Sequence, residues 1–189
     1  MTEPIRCPWC GTDPQYMAYH DEEWGVPVRD SIALFSKLTL DTFQSGLSWL
    51  VVLRKRSDIL DVMDELDPTR LAHWKPSRIE KVLGDDRIIR NRAKIEAAVN
   101  NARCYLDLAE AGRPFSELLW SHVGGQTMVN SRTQECELPG FTPESEAMAR
   151  ELKSEGFKWT GPTVCYAFMQ AVGMVNDHRV DCFRYKACS

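Results

Sequence analysis

The sequence predicts an all-α protein. Apolar residues recur at helical spacing in segment after segment, and capping and stop residues bracket those segments. No stretch sustains the apolar–polar alternation that a half-buried strand requires. At 189 residues the chain is long enough for one substantial core. Its 43% hydrophobic and 26% charged content is that of an ordinary soluble protein. No run of eighteen apolar residues exists to cross a membrane, and the N-terminus lacks the apolar centre of a signal peptide. A cytoplasmic location and no membrane partner are therefore expected.

Taken in order, Cys7-Pro-Trp-Cys10-Gly-Thr-Asp-Pro14 is rich in turn formers and shows no helical period. A polar, aromatic-rich segment with Tyr16, Tyr19, His20 and Trp24 follows. Asp30 or Ser31 can cap a helix that carries Ile32, Leu34, Phe35 and Leu38 and ends near Gln44. Gly46 then supplies a left-handed turn, and Ser48 can cap a second helix with Leu50, Val51 and Leu53. Asp67-Pro68 starts a short helix through Trp74, and Ser77 starts another that Gly84 ends. A long helix is predicted from about Ile88 to Ala111, with Gly112 as its stop. Pro114–His122 reads as one short helix, and 124–140 as a polar loop. Thr142-Pro143 opens a helix through Lys153, and Thr163–Val172 is the last, stopped at Gly173.

The formal net charge of −4 argues mildly against a nucleic-acid partner, but phosphate contacts are local. Two basic clusters stand out, Arg54-Lys55-Arg56 and Arg87, Arg90, Arg92, Lys94. Acidic residues gather elsewhere, at Asp58–Asp67 and Glu135–Glu151. Either basic cluster by itself also fits a solvated helix face. Seven irregularly spaced cysteines in a reducing compartment suggest metal ligands or buried thiols rather than a disulfide framework.

Four constellations carry possible chemistry. The break around Gly46 gathers Asp41, Gln44, Leu47 and Trp49, which suits a planar ligand held by stacking and one directed charge; the plainer reading is a helical hairpin with Trp49 in the core. Between two predicted helices, Gly156-Phe-Lys158-Trp-Thr-Gly161 brings glycines and a lysine to a helix start, where phosphate can bind backbone amides. It also reads as an ordinary connection. Cys7 and His20 at one end, with His178 and Cys182 at the other, form a Cys2His2 set that can close a tetrahedral zinc site and staple the termini. Cys7-x-x-Cys10 is itself a ligand or redox spacing, so unrelated thiols remain the competing reading. The aromatic and carboxylate group Trp9, Tyr16, Tyr19, Trp24, Asp41 and Trp49 fits chemistry on an extruded, stacked base.

Together these residues resemble the DNA-3-methyladenine glycosylase I family of the helix-hairpin-helix superfamily. The resemblance rests on Arg6-Cys7-x-Trp9, Asp13-Pro14-x-Tyr16-x-x-Tyr19-His20-Asp21-x-Glu23-Trp24-Gly25-Val26-Pro27, Gly46-Leu47-Ser48-Trp49, Gly156-Phe157-Lys158 and Asn176-Asp177-His178. It implies one glycosylase unit over residues 1–189, a helical core over about 28–173 and zinc-binding termini at about 6–27 and 174–189. It implies one structural zinc held by Cys7, His20, His178 and Cys182, with Cys10 outside the site. It further implies that Trp49 stacks on the flipped base, Tyr19 contacts its edge with Tyr16 beside them, and Leu47 enters the duplex. Gly156, Lys158, Gly161 and Thr163 would grip phosphates, and Asp177 would orient a zinc ligand. The implied reaction is monofunctional hydrolysis that frees 3-methyladenine from alkylated double-stranded DNA, by a protein expected to be a monomer.

One position departs from the family. Asp41 stands where a glutamate is usual, in Leu-Asp-Thr-Phe-Gln-Ser-Gly-Leu-Ser-Trp, and its carboxylate is one methylene shorter, roughly an ångström further back. Asp41 is the expected catalytic, base-accepting group. The alternatives are a lesion-binding homologue whose excision is altered or lost, and a zinc-stabilised helical interaction protein.

Overall fold

Helix caps set the architecture. In the computed structural model, which describes residues 3–133 and 138–189, the α-helices are α1 (Pro14–Glu22), α2 (Ser31–Gln44), α3 (Trp49–Val62), α4 (Pro68–Leu71) and α5 (Pro76–Leu83). They continue with α6 (Arg92–Glu110), α7 (Phe115–Ser121), α8 (Pro143–Ser154) and α9 (Pro162–Ala171). Asp30 caps α2 by accepting from the Ala33 amide, and Thr142 and Ser145 form a reciprocal capping box on α8. Glu135 and Cys136, counted in the acidic run and among the thiols, lie outside the described residues.

Three expectations need correction. The N-terminal aromatic segment contains α1, where Asp13 accepts from the amides of Gln15 and Tyr16 and Pro14 fills the first turn. Its inward face is Tyr19 and His20, which an apolar period does not register. The long helix starts at Arg92, not near Ile88, because Asp85 accepts from the Arg87 amide and Asn91 from the Lys94 amide. The predicted loop 124–140 holds strand β1 (Met128–Val129), which pairs in parallel with β2 (Val175–Asn176) at Met128↔Val175 and Val129↔Asn176. Two residues are too few to show alternation.

α2 is the central helix, with α3, α6, α7 and α9 packed on it. Leu34, Phe35, Leu38 and Phe43 from α2 are fully buried in one continuous apolar core. Its C-terminal carbonyls are orphaned by helix geometry, and a lysine answers them. Lys94 is not on a basic face: it is buried, and its ammonium donates to the carbonyls of Phe43 (2.8 Å) and Ser45 (2.5 Å). The rest of the two basic clusters is largely spent on carboxylates, with Arg54 on Asp13, Arg56 on Glu23, Arg87 on Asp61 and Asp85, and Arg92 on Glu80.

Two glycines fix the path around the site. Gly46 has φ +79° and leads the chain from α2 to α3 with Leu47 at the tip. Gly173, at φ +71°, passes so close to another segment that a Cβ there would lie 2.5 Å from the Pro27 nitrogen. Among the described residues no helix is long and apolar enough to cross a membrane.

Candidate active site and metal centre

α1, α2, α3 and α9 enclose a pocket. Spacing on α2 puts Lys37, Asp41 and Gln44 on one face, α1 supplies Tyr16 and Tyr19, α3 supplies Trp49, and Trp9 and Trp24 close one side. Ala167, Gln170 and Ala171 from α9 complete the walls of a cavity of about 200 Å³. That is below the size of drug-sized ligand clefts and suits a single ring system. The aromatic walls support one another: Tyr19 lies 5.3 Å from Trp49 between ring centroids, and Trp9 packs edge-on against Tyr16 at 5.1 Å and Trp24 at 4.9 Å.

The charges inside the pocket are buried and paired. Asp41 is buried; its Oδ1 accepts from the Lys37 ammonium, while its Oδ2 has no partner. Trp49 Nε1 is likewise buried and unpartnered. Trp9 Nε1 is a second buried, unpartnered donor, so the residues lining the pocket carry one acceptor and two donors without partners, the pattern of a site that takes a polar planar ligand. Burial pushes the Asp41 carboxyl up from the usual range against the opposing pull of Lys37, and pushes the Lys37 ammonium down. Burial, then the Asp41 charge, holds the Tyr19 phenol well above its ordinary value.

A second cleft continues from the first, sharing Asp41, Gln44 and Ala167 and lined beyond them by Gly46, Leu47, Thr163 and Val164. Leu47 stands exposed at its edge. The turn between α8 and α9 is clamped onto α6, since Asn101 both donates to the Lys158 carbonyl and accepts from the Lys158 amide, and Asn100 donates to the Gly156 carbonyl. Gly156, Lys158 and Gly161 on this turn and Thr163 in the first turn of α9 are all exposed. No side chain caps α9, which opens with Gly161 and Pro162. Trp159, exposed and held at φ +63°, was not singled out by sequence; a bulky residue in the left-handed region marks a strained, over-determined turn.

Behind the aromatic wall the chain termini meet. The donor atoms of Cys7, His20, His178 and Cys182, all buried, lie within 4.8 Å of one another and can hold a metal ion. His178 Nδ1 is 3.5 Å from both sulfurs, and His20 Nε2 is 3.5 Å from Cys182 Sγ. Cys10 lies outside the set, its thiol donating to the Cys7 carbonyl. His178 and Cys182 converge through turns, not through a helix. The imidazoles are oriented from outside: His20 Nδ1 donates to Asp21 at 2.7 Å, itself held by Arg6, and His178 Nε2 donates to the Trp24 carbonyl at 3.1 Å. Asp177 does not perform this task. Its carboxylate accepts from Tyr166, Gln170, Asn130 and Arg132 and ties the strands to α9.

A family model described as methyladenine glycosylase matches residues 9–185. The chain belongs to the methyladenine glycosylase family. Family relatives include DNA-3-methyladenine glycosylase 1 of Escherichia coli (strain K12), 45% identical over 95% of this chain and 96% of that one. The DNA-3-methyladenine glycosylase of Haemophilus influenzae is 42% identical over 94% and 96%. A crystal structure of 3-methyladenine DNA glycosylase I superposes with a TM-score of 0.93 at 44% identity, covering 95% of this chain and 98% of that one. The 3-methyladenine DNA glycosylase I of Staphylococcus aureus, described for its recognition of 3-methyladenine, gives 0.92 at 32% identity, covering 95% and 96%. Sequence reading missed the α9 wall residues Ala167, Gln170 and Ala171 and the charged Lys37, for which the i, i+4 spacing to Asp41 on one helix was the available signal.

Proposed function

We propose that this methyladenine glycosylase is a base-excision repair enzyme that hydrolyses the N-glycosidic bond of 3-methyladenine in alkylated DNA. The observation that carries this reading is the desolvated aromatic pocket with the unpaired Asp41 oxygen, opening beside an exposed leucine and an uncapped helix start. Relatives across nearly the full length carry the name of this activity, and a similar structure was solved in complex with 3-methyladenine.

In this reading the duplex lies across the second cleft. Leu47 enters the stack in place of the extruded nucleotide, at a cost in unstacking that the flipped base recovers inside the pocket. Gly156, Lys158, Gly161 and Thr163, on a helix-hairpin-helix element formed by α8, the turn and α9, grip phosphates through backbone amides and one ammonium. Trp49 stacks on the base, Tyr19 meets its edge with Tyr16 behind, and Asp41 accepts from it.

N3-methylation makes the base cationic and weakens its bond to the sugar. When the N9–C1′ bond breaks, its electron pair goes to the base, which leaves neutral. Water adds to C1′ and releases a proton to solvent, leaving an abasic site. Ring quadrupole and carboxylate both favour a cationic base, more strongly where water is excluded. In this reading water is the nucleophile and the reaction stops at the abasic site.

The four-donor cluster fits zinc. Zn–S near 2.3 Å and Zn–N near 2.0–2.1 Å put tetrahedral N···S edges at about 3.6 Å, against 3.5 Å for three such edges here. Cys7, Cys182, His20 and His178 leave no open position, so the ion would supply stability and not chemistry. Release of free 3-methyladenine from methylated duplex DNA, followed by chromatography against a no-enzyme control, tests the activity. Asp41→Asn should lower that release at least tenfold with folding intact, about 1.4 kcal/mol of transition-state stabilisation. Unchanged rates would remove Asp41 from the site.

A further inference from the structure

The pocket carries its own cation. The Lys37 ammonium lies 4.1 Å from the centroid of the Trp49 ring and ion-pairs with Asp41. These are the two groups that the base-excision reading assigns to attracting a methylated purine. An ammonium and a purinium cannot share one ring face and one buried carboxylate, because like charges at contact distance repel strongly where water is excluded.

We infer that Lys37 is a specificity-determining residue that holds the cation position of the pocket, so that a cationic base binds only by exchanging with it. The inference rests on the base-excision reading. Lys37 and Asp41 are one helical turn apart on α2, so exchange needs side-chain rotation and no shift of the helix. The Lys37 side chain retains 17% exposure against 3% for Asp41, so the lysine is the less enclosed partner of the pair. Glu23 and Arg56, whose charges also act on Lys37, hold each other in a bidentate pair at 2.6 and 2.8 Å, so among the described residues Asp41 is the carboxylate that Lys37 pairs with.

The consequence is a penalty that depends on ligand charge. A cationic base replaces the ammonium and restores neutrality beside Asp41. A neutral base leaves the carboxylate uncompensated if Lys37 departs, and gains little when Lys37 is removed. Binding discrimination between cationic and neutral purines is therefore held down by Lys37 and set free without it.

The test is a tryptophan-fluorescence titration of the full chain with two probes in mildly alkaline buffer, neutral 3-methyladenine and the fixed cation 3,9-dimethyladeninium. Lys37→Gln keeps a hydrogen bond for Asp41 without the charge, Lys37→Met removes both, and Lys37→Arg keeps the charge. The ratio of affinities, cation over neutral, should rise about tenfold or more in Lys37→Gln and Lys37→Met through tighter cation binding at nearly unchanged neutral-base affinity, and stay at the parent value in Lys37→Arg. Equal ratios across all variants, with quenching still seen, would overturn the exchange and leave the base pocket standing. A selective loss of neutral-base affinity in Lys37→Gln would also overturn it, by making Lys37 a donor to the bound base. Absence of quenching by either probe in every folded variant would overturn both the exchange and the base-pocket reading.

Discussion

Asp41 is a carboxylate with only half of its hydrogen-bonding capacity in use, and burial holds its carboxyl above the ordinary range while Lys37 opposes that shift. The carboxylate must be ionised to attract a cationic base, so activity should be lost as pH falls through this raised value. The acid limb of kcat/KM is expected to have its midpoint above the ~3.9 of a free aspartate. In Asp41→Asn that limb should be missing; an acid limb that survives the substitution belongs to another group. The sequence exposed Asp41 because it interrupts a recognisable pattern. It did not expose Lys37, since a lysine on a helix reads as a solvated charge until the opposite wall, Trp49, is known to face it. Asp177 failed the other way: adjacency to His178 suggested a shared role, while the backbone turns the two side chains to different partners.

At the scale of elements, caps were the most legible feature. Asp30, Asp67-Pro68 and Thr142-Pro143 mark their helices because side-chain acceptors and prolines act locally. Asp13-Pro14 carries the same signature, yet α1 was passed over because tyrosine and histidine line its buried side. Lys94 shows what local reading cannot reach. Its neighbours Arg90 and Arg92 made it look like part of a phosphate-binding face, whereas its ammonium serves carbonyls 49 and 51 residues away. Lys94→Met should leave those carbonyls unsatisfied and lower stability by about 1–3 kcal/mol, read as a reduced midpoint in urea with an unchanged slope. A midpoint equal to the parent's would mean that water replaces the ammonium and that the Leu47 loop does not depend on it.

Over the whole molecule, the metal-type cluster and the aromatic pocket are one construction. Tyr19 and His20 are adjacent on α1, the first in the pocket wall and the second among the four donors. The Trp24 ring also packs edge-on against His178 at 4.6 Å. Chelation of a bound ion should therefore lower the melting temperature and weaken 3-methyladenine binding together, and added zinc should restore both. Binding that persists in a chelated, destabilised protein would show the pocket to be held by packing alone. The Cys2His2 set was visible as residue types, but its convergence was not, because the partners lie at opposite ends and meet through turns instead of one helix. The even spread of Arg–carboxylate pairs was equally hidden, so the two basic clusters looked freer for DNA than they are.

The junction of the two ends also orders events in time. Cys7 and His178 are 171 positions apart and in contact, so the stretch that leads into α1 closes against one made much later. A nascent chain that stops before His178 lacks two of the four clustered donors. Assembly of the four-donor cluster behind the pocket thus waits on synthesis past Cys182.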